Sequence, residues 1–154
     1  MKHLRVGDEV PDLTLSGHDG QPIRLGGFRG EKVVVLFFYP RDGMPICTKE
    51  ACAFRDAYEK FVEAGGVVIG VSADSAESHR DFAAQHRLPF LLASDRDGAA
   101  RKAFGVPKTL AVLPGRVTYV IDREGILRLV FNAQMHADKH VEEALAKVRE
   151  LSGK

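Results

Sequence analysis

Residues 33–66 decide the fold, and they read VVVLFFYPRDGMPICTKEACAFRDAYEKFVEAGG. The run Val33–Tyr39 is β-branched, aromatic and apolar on both faces, which is typical of a central parallel strand covered by helices. Pro40 interrupts this run and begins a turn. From Pro45 to Ala64 apolar residues recur at helical spacing, and two glycines follow as a signal that ends a helix. The stretch therefore predicts a buried strand, a short turn and a long helix.

The pattern continues on both sides of this stretch. Periodicity and turn residues predict the following further elements: short strands at Leu13–Leu15 and Pro22–Leu25, strands at Val67–Val71 and Leu88–Leu92, a helix from Ser75 or Ser78 to His86, a short helix at Ala99–Phe104, a hairpin of Val117–Ile121 and Ile126–Phe131 with Gly125 in its turn, and a last helix capped by Asp138. Parallel βαβ units followed by an antiparallel hairpin and a covering helix are typical of a thioredoxin-like α/β fold. We therefore expect a central mixed β-sheet flanked by helices.

Composition and charge exclude several classes of function. The chain has 154 residues, of which 45% are hydrophobic and 28% charged, and it is expected to form one domain over residues 1–154. Lys and Arg number 22 and Asp and Glu 21, a balance too weak to attract nucleic acid or an anionic membrane. No apolar run reaches the ~18 residues of a membrane span. The opening MKHLRVGDEVPDL lacks a signal-peptide core, so we expect a cytoplasmic protein.

The two cysteines, Cys47 and Cys52, are the residues best suited to chemistry. They are too few for a disulfide scaffold or a self-contained zinc site. Cys47 lies where the predicted turn enters the long helix, and unpaired backbone N–H groups and the positive end of the helix dipole favour a thiolate there. Position alone therefore makes Cys47 a candidate nucleophile with a lowered pKa. The alternative interpretation is a small buried hydrophobic residue.

The interval between the cysteines restricts how they could bond. Five residues along an α-helix correspond to roughly 500° of rotation, so the side chains point about 140° apart and the Cα atoms lie ~8–9 Å apart. A disulfide needs a Cα separation below about 7 Å. A bond between Cys47 and Cys52 therefore requires the first turns of the helix to unwind. A CxxC reductase closes its bridge without unwinding, so this spacing counts against a direct disulfide exchanger.

The segment FYPRDGMPICTKEAC at residues 38–52 resembles the active-site segment of peroxiredoxins, and more narrowly that of the bacterioferritin-comigratory-protein (PrxQ) subfamily. The resemblance extends in the right order over nearly the whole chain. It includes VGDEVPD at 6–12, GVSAD at 70–74, Ser78-His79, Phe82, LPF at 88–90 and RVTYVID at 116–122.

This resemblance implies a thiol-dependent peroxidase that reduces hydrogen peroxide and organic hydroperoxides without a metal or organic cofactor. By similarity Cys47 is the peroxidatic cysteine, Cys52 the resolving cysteine and Arg116 the cation beside the thiolate, and Pro40 matches the first residue of the family motif. A thioredoxin-type donor then reduces the disulfide by thiol–disulfide exchange. The expected assembly is a monomer or a weak dimer.

One position departs from the family motif, Pro-x-x-x-Thr/Ser-x-x-Cys. Met44 stands where the motif has a hydroxyl that bonds both the thiolate and the peroxide. A thioether donates no hydrogen bond and cannot cap the helix. Thr48 follows the cysteine in the same expected substrate pocket and is no evident replacement. Because one lost transition-state donor typically costs ~10²–10³ in rate, we expect a slowed peroxidase.

Other interpretations stay open at this level. A redox sensor whose turnover is crippled by Met44, or a thioredoxin-like disulfide reductase, would use the same fold. Without the family motif, Arg116 would be an ordinary solvated charge at a strand entrance. His136 and His140 have the spacing of a helical metal pair, but they flank the expected cap at Asp138 and nothing nearby completes a ligand set.

Overall fold

The computed structural model describes residues 4–106, 108–109, 113–114, 116–133 and 136–152, with the backbone alone at 108–109 and 113–114. In chain order the elements are β1 (Thr14–Gly17), β2 (Pro22–Arg24), a 3-10 helix (Leu25–Phe28), β3 (Val33–Phe38), α1 (Pro45–Glu63), β4 (Gly66–Ser72), α2 (Ala76–His86), β5 (Leu91–Ser94), α3 (Ala99–Phe104), β6 (Lys108–Thr109), β7 (Leu113–Pro114), β8 (Val117–Ile121), β9 (Leu127–Asn132) and α4 (Ala137–Leu151).

Seven strands form one mixed sheet in the order β2-β1-β5-β4-β3-β8-β9, and β6 and β7 form a separate pair. Strand β3 lies between a parallel neighbour, β4, and an antiparallel neighbour, β8. All six residues of β3 are buried, because its two faces contribute to two different apolar clusters. Helices α1, α2 and α4 pack on one of these clusters and α3 on the other. The expected central mixed sheet flanked by helices is confirmed.

The long helix and the turns that bound it follow the sequence closely. Strand β3 ends at Phe38 and α1 begins at Pro45, so the intervening loop has six residues. At the other end Gly65 takes a φ of +84°, a left-handed conformation that favours glycine. Gly125 does the same in the β8–β9 hairpin, with a φ of +83°. The predicted helix-ending and hairpin glycines are therefore confirmed.

Several predicted boundaries are wrong by one or more residues, and two of these differences have a clear local cause. The strand expected at Leu88–Leu92 begins only at Leu91, because the chain first closes the end of α2 with a hydrogen bond from the Leu88 N–H to the Ala83 carbonyl. Asp138 does not cap the last helix. The residue that precedes α4 is His136, which makes no side-chain cap, and Asp138 lies in the first turn, where the helix dipole favours its charge.

The ends of several elements meet beside the first turn of α1. The β3–β8 register pairs Phe38 with Val117, so the residue before β8, Arg116, lies next to the loop that leads into α1. Helix α4 packs against both α1 and β8. Across the described ranges, no helix has the length and apolar character needed to cross a bilayer.

Candidate active site

Cys47 lies in the first turn of α1. Met44 precedes the helix with an extended backbone, and its carbonyl accepts the first helical hydrogen bond, from the Thr48 N–H at 2.8 Å. Pro45 starts the helix, where a missing N–H costs nothing. The Cys47 side chain points into the protein and is only 1% exposed. The predicted position of this cysteine at a helix N-terminus is therefore confirmed.

Arg116, the residue before β8, contacts the Cys47 sulfur. Its Nη2 donates to the Cys47 Sγ at 3.2 Å, and its Nη1 donates to the Glu50 Oε1 at 2.9 Å. The guanidinium is 2% exposed and the Glu50 carboxyl is fully buried. The geometry thus brings the candidate nucleophile and the cation together, although they are 69 residues apart in the chain. An enclosed, hydrogen-bonded cation is suited to stabilising a thiolate and the charge that develops on a departing oxygen.

Burial raises the pKa of the Cys47 thiol above its ordinary value. A hydrogen bond from the Arg41 backbone and the charge of Arg116 act in the opposite direction, and an ionised Glu50 adds to the increase. The lowered pKa expected from the helix terminus is therefore wrong in direction. The physical reason is that the sulfur has lost its hydration, which disfavours the charged form.

A second buried contact extends this network to α4. His140 donates from Nε2 to the Ala133 carbonyl at 2.7 Å, so its Nδ1 accepts the Thr118 hydroxyl, also at 2.7 Å. The same Nδ1 lies 3.4 Å from the Glu50 Oε2, which makes no hydrogen bond within the described part of the chain. Burial raises the pKa of Glu50 to about 7, and burial lowers the pKa of His140 to about 4. Both groups are therefore neutral between these values.

Glu50 and His140 are the site residues that sequence reasoning missed. Glu50 lies one helical turn after Cys47, on the same buried face of α1. A carboxylate inside an apolar stripe is the signal that could have identified it, since buried carboxylates need partners. His140 was considered only as half of a metal pair with His136. The two side chains differ in burial, since His140 is buried and lies 3.4 Å from Glu50 while His136 is exposed.

Asp42 anchors the loop before α1. Its Oδ2 accepts from the Ser78 hydroxyl at 2.8 Å and lies 2.7 Å from the His79 Nδ1, and its Oδ1 accepts from the Tyr39 hydroxyl at 2.6 Å. The Asp42 N–H donates to the Asp74 Oδ2 at 2.8 Å. The loop is thereby tied to the end of β4 and to the first turns of α2.

The Asp42–His79 contact is an ion pair. The His79 Nε2 lies 3.0 Å from the Ala93 carbonyl, which can only accept, and its Nδ1 faces the carboxylate, so both ring nitrogens act as donors. Burial acts to raise the pKa of Asp42, but hydrogen bonds from His79 and Tyr39 outweigh it and hold this pKa below its ordinary value. The charged carboxylate is thus the form that fixes the loop.

The remaining predicted residues have varied surroundings. Pro40 is half-buried in the loop between β3 and α1, and Met44 is half-buried against the core. In the described structure the side chains of Met44 and Thr48 make no hydrogen bond. Cys52 lies on another side of α1, half-buried, with its Sγ 3.8 Å from the Nδ1 of His86. Both cysteines are free thiols in a continuous helix, so the structure brings Cys47 and Arg116 together but not the two cysteines.

The chain is similar to known proteins over almost its whole length. Residues 6–130 match the model of the AhpC/TSA family. Chloroplastic peroxiredoxin Q of Sedum lineare is 49% identical over 94% of this chain and 78% of that protein, and that of Populus jackii is 48% identical over 96% and 70%. Peroxidoxin BcpB from Mycobacterium tuberculosis has a TM-score of 0.89 and 37% identity, covering 97% of this chain and 99% of that one.

The fold, the buried cysteine–arginine pair and these similarities define the class: the chain belongs to the AhpC/TSA family and is a peroxiredoxin, a thiol peroxidase with a thioredoxin-like fold. Within that class its relatives are of the peroxiredoxin Q type, so the resemblance seen in the sequence is confirmed. The bacterioferritin comigratory protein of Xanthomonas campestris, described for its alkyl peroxide reduction activity, has a TM-score of 0.87 at 30% identity, covering 96% of this chain and 99% of that one. Because the plant relatives are chloroplastic, the cytoplasmic location stays a prediction.

Proposed function

We propose that this peroxiredoxin reduces hydrogen peroxide and organic hydroperoxides through Cys47, resolves the oxidised sulfur with Cys52, and is recycled by a thioredoxin-type protein. The observation that carries the proposal is the 3.2 Å hydrogen bond from Arg116 to the Cys47 sulfur, two buried groups at the start of α1. The alkyl peroxide reduction described for the Xanthomonas relative supports organic hydroperoxides as substrates.

In the first step the Cys47 thiolate attacks the nearer peroxide oxygen and the O–O bond breaks. The sulfur gains that oxygen and becomes a sulfenic acid, and the other oxygen leaves as an alkoxide or hydroxide that takes up a proton to form an alcohol or water. Arg116 stabilises the negative charge as it moves from the sulfur to the leaving oxygen. The Arg41 N–H that bonds the sulfur assists in the same way.

In the second step the Cys52 sulfur attacks the Cys47 sulfur, a disulfide forms and water leaves. The intact α1 keeps the two residues too far apart for this bond, so the first turns of the helix must unwind. A dithiol donor then attacks the disulfide, is itself oxidised to a disulfide, and leaves both cysteines reduced.

Met44 slows the first step in this proposal. Its thioether cannot replace a hydroxyl that would bond the thiolate and the peroxide, and it leaves α1 without a side-chain cap. This departure also favours a second candidate function, a redox sensor on the same scaffold. A sensor would be oxidised at Cys47 and would turn over too slowly to remove peroxide.

The decisive experiment measures the second-order rate of Cys47 oxidation by hydrogen peroxide and by a small alkyl hydroperoxide, with Cys47→Ser as the inactive control. Steady-state consumption of peroxide with thioredoxin, thioredoxin reductase and NADPH then separates a peroxidase from a sensor. We expect oxidation of Cys47, a Cys47–Cys52 disulfide in the mass spectrum, and turnover with thioredoxin. Sulfinic acid at Cys47 in place of the disulfide, after two or more equivalents of peroxide, would remove Cys52 from the resolving role.

A reductase function has its own test, since reduction of insulin without peroxide would support it. The spacing of the cysteines and the continuous helix around them do not favour that function. A monomeric or weakly dimeric state belongs to the proposal as well, and light scattering of the reduced protein measures it.

A further inference from the structure

The surroundings of Cys52 contain a group that the proposed reaction does not yet use. The Cys52 sulfur lies 3.8 Å from the Nδ1 of His86, within the range of a hydrogen bond to sulfur, although the two residues are 34 apart in the chain. Cys52 is in the second turn of α1, and His86 is the last residue of α2. Both side chains are half-buried, so the pair is in contact with solvent that can exchange protons.

Two contacts position His86, one on its backbone and one on its ring. The Arg55 Nη1 donates to the His86 carbonyl at 2.8 Å and ties the end of α2 to α1. The His86 ring also packs edge-on against Phe82, one turn earlier on α2, with the ring centroids 4.9 Å apart. Arg55, which is paired with Asp56, is the charged group that contacts His86 from α1, and Arg87 follows it in the chain. These contacts fix the ring beside the thiol.

We propose that His86 is the general base of the resolving step, an inference that rests on the proposed role of Cys52. A thiol must lose its proton to become the attacking thiolate, and the unprotonated nitrogen of an imidazole can accept that proton. In the reduced protein the thiol donates to Nδ1, while Nε2 carries the ring proton.

The step balances in atoms and electrons. His86 takes the proton of the Cys52 thiol, and the resulting thiolate attacks the sulfur of the Cys47 sulfenic acid. The S–S bond forms as the S–O bond breaks, and the leaving hydroxide takes up a proton, which the imidazolium can return, to give water. Cys52 is oxidised and the sulfenic sulfur is reduced, so no further reactant is needed.

The same contacts determine which cysteine moves. Because Arg55 and His86 hold the second turn of α1 against α2, Cys52 keeps its position while the turn that carries Cys47 unwinds. The base therefore stays beside its thiol during the conformational change.

The experiment separates the two chemical steps in single-turnover reactions. The chain has no tryptophan, so samples are quenched in acid, alkylated and analysed by mass spectrometry at successive times. The test variants are His86→Phe, which keeps a ring against Phe82 but has no base, and His86→Gln. Gln85→Ala, an exposed change on the same helix, is the matched control.

We expect both His86 variants to form the sulfenic acid at the wild-type rate and the disulfide at least about tenfold more slowly at pH 7. The deficit should shrink as the pH rises from 7 to 9, because hydroxide then replaces the imidazole as the proton acceptor. Excess peroxide should then yield more sulfinic acid at Cys47, because the sulfenic acid persists. Gln85→Ala should match the wild type at every pH.

Three outcomes overturn the inference or what it rests on. Disulfide formation at the wild-type rate in both His86 variants excludes a base. A deficit of equal size at pH 7 and pH 9 assigns His86 a structural role instead. Absence of a Cys47–Cys52 disulfide in the wild-type protein overturns the proposed function itself, and with it the premise of this experiment.

Discussion

The two cysteines occupy one helix but very different surroundings. Cys47 is 1% exposed, bonded to a buried arginine and enclosed by the contacts of α1, β8 and α4. Cys52, in the next turn, is half-buried and faces an imidazole at the edge of α2. The first sulfur needs a fixed electrostatic environment, because charge moves onto a leaving oxygen there. The Cys52 sulfur needs a proton acceptor, and the oxidised Cys47 sulfur has to move to it.

Within six residues the chain therefore combines a tightly held site at Cys47 with a helix turn that must unwind. The loop before Cys47 is held by Asp42, through its ion pair with His79 and its bonds to neighbouring hydroxyls. Those contacts oppose the unwinding that a disulfide requires. The turnover of the enzyme therefore depends on a balance between the folded helix, in which the Cys47 thiolate attacks peroxide, and the unwound helix, in which the oxidised Cys47 sulfur can reach Cys52.

Removal of the cation beside Cys47 should have the largest effect. Arg116→Met deletes the donor to the sulfur and leaves the Glu50 carboxyl buried without its partner. We expect oxidation by hydrogen peroxide to slow by ~10²–10³ and the free energy of unfolding to fall by about 1–3 kcal/mol. Rapid-quench kinetics and urea unfolding measure the two effects.

Arg116→Lys is the matched control, since it keeps the charge but not the two-armed geometry. It should oxidise faster than Arg116→Met and more slowly than the wild type. If the folded Met variant kept most of the wild-type rate, the 3.2 Å contact would have no catalytic role.

Met44→Thr should accelerate the oxidation of Cys47 without changing the surroundings of Cys52. A hydroxyl at this position, directly before α1, can cap the helix and bond the thiolate. We expect Cys47 oxidation to become faster by up to about 10², since a missing transition-state donor is restored. Met44→Leu, which restores no donor, serves as the control. A wild-type protein already as fast as the Thr variant would make the hydroxyl argument wrong.

Asp42→Asn weakens the anchor without changing its size. His79 loses its ion partner, so the loop at residues 39–44 should open more often. We expect disulfide formation to accelerate several-fold, the free energy of unfolding to fall by about 1–3 kcal/mol, and amide exchange in the first turn of α1 to speed up. Asp81→Asn, an exposed change on α2, should alter none of these. An unchanged resolution rate in Asp42→Asn would show that the anchor does not limit unwinding.

Much of this contrast could be predicted from the sequence, and what could not has a physical reason. The strand, turn and helix around Cys47 follow from local periodicity, and Arg116 was identified from the family motif. His140 could not be placed, because its contact with Glu50 depends on how α4 packs against α1 and β8. The direction of the Cys47 pKa shift was wrong for a similar reason. A helix terminus is visible in a sequence, but the enclosure that removes water from the sulfur is tertiary.

The smallest predicted effect concerns the charge of Glu50. Burial raises the pKa of this carboxyl to about 7, and its ionised form raises the pKa of Cys47. In the wild type, ionisation of Glu50 as the pH rises through 7 therefore opposes ionisation of the Cys47 thiol. Glu50→Gln has no such charge, so the profile of Cys47 oxidation rate against pH should shift to lower pH by about half a unit. Iodoacetamide alkylation of the reduced protein gives the same pKa independently.

Stability provides a second readout of the same change, with a definite sign. A carboxyl whose pKa is higher in the folded than in the unfolded protein stabilises most below its unfolded value of 4.5, and this stabilisation is lost as the pH rises through about 7. Glu50→Gln does not lose this stabilisation. Its free energy of unfolding should therefore increase relative to that of the wild type as the pH rises from 4.5 to 8. Thr118→Val removes the hydroxyl bonded to His140 but no charge. The difference between its free energy of unfolding and that of the wild type should stay constant over that range. A Gln variant whose free energy of unfolding depends on pH as that of the wild type does would show that Glu50 stays ionised throughout, and its buried contact with Arg116 would then be a permanent ion pair.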